Sequence, residues 1–103
     1  MHRVFLEAIY NMKVVEVTFE SFEKGTITRN CIPFDFGPSR RYRDGTERYH
    51  FYDLDSPSGN HNLSILPEQV IEIRLTSEVF DPGKYVTWQA INWFIKRDWG
   101  IYS

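Results

Sequence analysis

The stretch Pro38–Asp53, PSRRYRDGTERYHFYD, concentrates side chains that can grip an anion. Arg40, Arg41, Arg43 and Arg48 fall within nine residues, and Tyr42, Tyr49, His50, Phe51 and Tyr52 interleave with them or follow. Guanidinium groups pair with phosphate oxygens, and exposed aromatic rings stack on unpaired bases. In a strand, Tyr49 and Phe51 point to one side, and Arg48, His50 and Tyr52 to the other. With Tyr49 and Phe51 in a core, the second row would lie outward, below an arginine-rich loop. Arg40, Arg41, Tyr42, Arg43, Arg48, His50 and Tyr52 are therefore the candidate ligand-binding residues, and a single-stranded nucleic acid or a nucleotide is the matching ligand class. The alternative is a solvated loop whose arginines pair with Asp44, Glu47 and Asp55. The formal net charge is −2, so any basic footprint is local.

Other chemistry is sparsely provided. The three histidines lie at positions 2, 50 and 61. His50 and His61 could meet across paired strands near Asp53, but the spacing matches no metal motif, so no metal site is assigned. The chain lacks a glycine-rich phosphate loop, an HExxH helix and a nucleophile elbow, and no catalytic residue or cofactor is assigned. Asp53 and Asp55 flank a turn, which accounts for them. Cys31 is the one cysteine, so no intramolecular disulfide or cysteine-based zinc site can form. It stands in an alternating apolar segment, as a small core residue does. The N-terminus has no signal-peptide run, and no window approaches eighteen apolar residues. These features read as a cytoplasmic, non-enzymatic protein with no membrane segment and a reduced thiol.

The 103 residues suit one domain over 1–103, and 42% hydrophobic content supplies a core for it. Residues 2–12 carry Phe5, Ala8, Ile9 and Met12 on one helical face. Alternation then predicts strands over 13–20, 26–36, 47–54, 61–66 and 69–75. Gly25 provides the first turn, and Pro33 marks an edge or a sharp bend in a long strand. Pro67 and Glu68 are too short a break for a free hairpin, which leaves a single helical turn or a kink. From Asp81 onward the period changes: Trp88, Ile91, Ile95 and Trp99 fall at helical spacing, predicting an amphipathic helix over about 84–99. Val86, Ala90 and Trp93 would form a second apolar row on it, offered as a homodimer interface.

The fold class expected is mainly β with flanking helices: a small five-stranded SH3-like, Sm-like barrel over about 13–75. Val15, Val17, Phe19, Ile32, Phe34, Leu63, Ile65, Ile71 and Ile73 are its expected core.

The run LEAIYNMKVVEVTFESFEKGTITRNCIPFDF, followed by ERYHFYDLDSPSGNHNLSILPEQVIEI, resembles the WYL domain over about residues 4–75. The likeness lies in the short helix with Ala8 and Ile9, the glycine turn, the strand ending near a proline, the aromatic strand and the isoleucine-rich last strand. The namesake tripeptide falls on Tyr49, His50 and Phe51, with histidine in place of the central tyrosine. The family's ligand-surface arginine falls on Gln69. The resemblance implies a stand-alone regulatory barrel that senses nucleic acid or a nucleotide. The other function class is a protein-interaction or assembly module using the aromatic C-terminal helix.

Overall fold

Helix α1 (His2–Asn11) buries Phe5, Ala8 and Ile9, as the spacing requires. It stops at Met12, whose left-handed backbone (φ 53°) lets its N–H reach the carbonyls of Ala8 and Ile9. The chain turns there directly into a sheet. The computed structural model describes residues 1–103. It contains five antiparallel strands: β1 (Lys13–Ser21), β2 (Gly25–Pro38), β3 (Glu47–Asp53), β4 (Asn62–Ile65) and β5 (Val70–Val79), in the order β4-β3-β2-β1-β5.

The inner face of the sheet packs on α1. Phe5 meets Tyr49 and Phe51 edge-on at 4.8 and 5.4 Å between ring centroids. Val15, Val17, Phe19, Cys31, Ile65 and Ile73 join the same buried cluster. Full burial of each large apolar side chain in this cluster stabilises the fold by about 1.5–3 kcal/mol.

Strands β4 and β5 lie at opposite edges, yet only Leu66 and the 3-10 turn Pro67–Gln69 separate them from each other. The sheet must therefore curl until its edges approach at that corner. Gln69 fixes the corner with both ends of its amide. Its Oε1 accepts from Leu66 N–H at 3.0 Å, and its Nε2 donates to the Glu20 carbonyl at 2.9 Å. No ladder joins β4 to β5, so the sheet is open where a closed barrel was expected.

Two further expectations are corrected. Ile71 is 58% exposed and Leu63 only half-buried. Ile71 sits where the β1–β5 ladder shifts register, on a strand with one free edge, and period-2 logic fails at such a shift. The C-terminal helix over 84–99 does not form either. Apart from the 3-10 turns Pro82–Lys84 and Gly100–Tyr102, the segment is irregular.

The segment is instead pinned to the C-terminal end of α1 and to itself. Phe80 N–H bonds to Met12 O, Trp99 Nε1 donates to Ile9 O, and Trp93 Nε1 donates to Tyr102 O. Val86, Trp93 and Trp99 are buried in their own chain, while Trp88 and Ala90 are exposed. The row Val86, Ala90, Trp93 is thus not one exposed face, and the covering offered by a partner is provided intramolecularly. The residues here are rich in β-branched and aromatic types, which lose side-chain freedom in a helix. In a helix the N–H groups of Phe94 and Ile95 would bond to Ala90 and Ile91 carbonyls. Here both donate to Asp35.

Asp35 reaches them because of a bulge. The β2–β3 register shifts between Pro33 and Asp35, leaving Phe34 as the extra residue. Pro33, with no N–H to give a ladder, marks this bend. No helix of the chain is long and apolar enough to cross a membrane.

Candidate functional site

A cleft of about 610 Å³ opens between the β2–β3 loop (39–46), the outer face of β3 and β4, and the C-terminal segment. Each wall has a local cause. In the loop, Ser39 Oγ accepts from Arg41 N–H at 3.1 Å, and the Ser39 carbonyl accepts from Arg43 N–H at 3.2 Å. Arg43 takes a left-handed conformation (φ 52°) to close that turn. Asp44 Oδ1 then accepts from Thr46 N–H at 3.0 Å. Asp44 is held below its ordinary carboxyl value, first by that Thr46 N–H and then by Arg48.

Arg48 is the one arginine of this stretch that is spent internally. It pairs with Asp44 at 3.2 Å, is largely buried, and lies 4.0 Å from the centroid of the Tyr42 ring. It fixes Tyr42 at the mouth of the cleft and is not free for a ligand. Arg40, Arg41 and Arg43 are exposed and make no ion pair. The acids that could have neutralised them are engaged elsewhere or out of reach. Asp44 holds Arg48, and Asp55 accepts from the backbone and side chain of Asn30. Arg40 and Arg41 line the cleft with Tyr42, whereas Arg43 does not.

His50 lines the floor with both ring nitrogens committed. Nε2 donates to the Gly37 carbonyl at 2.8 Å, and Nδ1 bonds with Ser64 Oγ at 2.8 Å. It is a fixed polar surface of the cleft. Tyr52, expected in the same row, lies outside the cleft. Its ring stacks on His61 at 4.5 Å and 7°, and meets Tyr85 and Phe34 edge-on. His61 is turned away from His50 and bonds to Asp53 O through Nδ1 at 2.6 Å.

The sequence reading missed the far wall. Trp88, Ala90, Asn92, Trp93 and Phe94 line it, and Asn62 and Ser64 of β4 line the floor. The amide side chains of Asn62 and Asn92 make no hydrogen bond within the chain. Asp35 and Arg97 hold this wall in place. One signal was present for Asp35, an isolated acid in the apolar run CIPFDFG; Arg97, between Lys96 and Asp98, carried none.

In comparison with protein-family models, with curated proteins and with solved structures, the chain finds no match.

Proposed function

We propose that the protein is a non-enzymatic regulatory module that binds single-stranded nucleic acid or a nucleotide in the cleft beneath the arginine loop. The observation that carries this reading is the uncompensated pair Arg40 and Arg41 at the edge of a concave site that also presents Tyr42 and Trp88. Both rings are nearly half exposed, at 49% and 42%. Unpaired guanidinium groups beside exposed aromatic faces suit a phosphate joined to a base. The unbonded amides of Asn62 and Asn92 suit a base edge. The cleft volume is within the range of small-molecule sites, roughly 300–1,000 Å³.

The WYL-like, Sm-like reading of the fold belongs to the same proposal. It is supported by the strand pattern and by the curl imposed at Gln69, and it implies a sensor role in the cytoplasm. The ligand surface would differ from the family's, because the arginine expected at Gln69 is replaced by an amide that holds a corner of the sheet.

The test is retention on immobilised single-stranded DNA and RNA over a salt series, beside titration with mononucleotides. Binding that weakens linearly in log salt supports the reading. No retention and no nucleotide binding at low salt would sink it.

A further inference from the structure

We propose that β5 pairs antiparallel with the β5 of a second copy of this chain, making a two-fold dimer whose sheet continues across the interface. The edge is open. β1 is the only ladder partner of β5, and no other segment hydrogen-bonds to residues 72–75. The β1–β5 ladder is regular from Glu72 to Leu75 and shifts on either side, so this stretch is the part of the edge ready to take another strand. It also carries apolar surface that the chain itself leaves uncovered: Ile71 is 58% and Leu75 36% exposed.

The choice of a second copy as occupant comes from the charges. A two-fold axis perpendicular to the sheet, midway between Ile73 and its counterpart, keeps the inner faces of both copies on the same side. In that register Glu72 lies opposite Arg74 of the other copy, and Arg74 opposite its Glu72. Ile71 faces Leu75, and Ile73 faces its own counterpart. Over residues 71–75 each directly opposed pair is thus either apolar with apolar or acid with base, each occurring symmetrically. Charges on an edge strand ordinarily deter pairing; here their signs and spacing match under a two-fold. Arg74 already touches Glu16 at 2.6 Å but remains 61% exposed, so it can face a second carboxylate. A head-to-tail pairing of β5 with β4 fits less well, because β4 has four residues and β5 has ten.

Sedimentation velocity on the full chain over a concentration series tests this. The expected result is a reversible monomer–dimer equilibrium. Glu72→Arg and Arg74→Glu should each weaken it at least tenfold, by opposing like charges twice per dimer. The double exchange Glu72→Arg with Arg74→Glu should restore it, an outcome that a folding defect would not give. A monomer at every concentration overturns the proposal and leaves the edge to an extended segment of another protein. Species growing beyond the dimer overturn it in favour of head-to-tail pairing. A dimer indifferent to both single exchanges, or not recovered in the double, overturns it by placing the interface elsewhere.

Discussion

The carboxylate of Asp35 and the guanidinium of Arg97 meet at 3.4 Å in the interior, with the Arg97 side chain fully buried. Arg97 is flanked by Trp93 and Trp99, its central carbon 3.9 and 4.5 Å from their ring centroids, and it donates to the carbonyls of Phe34 and Ile95. Asp35 is equally committed, accepting from the N–H groups of Phe36, Phe94 and Ile95. The pair is a latch between the β2 bulge and the C-terminal segment. Burial brings the Arg97 pKa down to about 10, against the favourable pull of Asp35.

Asp35→Ala should therefore be strongly destabilising. It strands a buried cation and three backbone donors, and losses of this kind run to roughly 3–5 kcal/mol. Arg97→Met should cost less. It leaves the Asp35 carboxylate without its cation but still bound by three N–H donors, and it keeps an apolar stem between the tryptophans. Urea unfolding of both variants checks the order. Equal losses would show that the ion pair has no special part in the latch.

Gly37 supports the same wall from beneath. A Cβ at this position would collide with the Phe94 ring. Gly37→Ala should destabilise by about 1–3 kcal/mol, the usual range for overpacking. In a Phe94→Ala background the same substitution should cost much less, because the obstructing ring is gone. A double-mutant cycle measures the difference. Simple additivity would mean that Phe94 swings aside at no cost.

The arginine loop makes a separable prediction. Replacing Arg40 and Arg41 together by alanine should weaken single-strand binding evenly across sequences. It should also reduce the salt slope by about 0.7 for each phosphate that is no longer neutralised. Trp88→Ala should weaken binding by roughly 1–3 kcal/mol per stacked base and leave the slope unchanged. Arg43→Ala should do little, because Arg43 lies outside the cleft. Fluorescence titrations at several salt concentrations distinguish the three.

Much of this architecture was legible because it is local. α1 and all five strands follow from hydrophobic period, and Gly25 and Pro33 mark a turn and a bend where they stand. The loop half of the cleft was legible for the same reason, since Arg40, Arg41, Tyr42 and His50 are nearly consecutive. The C-terminal wall was not. Trp88, Ile91, Ile95 and Trp99 do recur at helical spacing, but what decides their conformation is a partner some sixty positions away: Asp35, which takes the N–H groups of Phe94 and Ile95. Periodicity reports a face to be buried and not the backbone that buries it. Tyr52 failed differently. Its outward parity was right, but the C-terminal segment and His61 cover that side.

Cys31 offers a probe of the core. The thiol is fully buried, and desolvation, with Asp53 and Asp55 adding to it, pushes its pKa far above the ordinary 9.0. At pH 8 the native thiol should resist an alkylating reagent, and modification should track global unfolding. The linkage has a definite sign. Above about pH 9 the unfolded chain releases the thiol proton and the folded chain keeps it. The contribution of Cys31 is therefore complete below pH 9 and declines as pH rises, by up to about 1.4 kcal/mol per pH unit. Arg97 acts in the opposite sense. Its folded-state pKa is lowered to about 10, so the folded form is relatively favoured once the pH passes that value. Both proteins in a comparison of wild type with Cys31→Ala contain Arg97, so the difference between their stabilities isolates the thiol. That difference should be constant up to pH 9 and shift in favour of the variant from pH 9 to 11. A difference that stays flat would mean that the thiol ionises equally readily in the folded core.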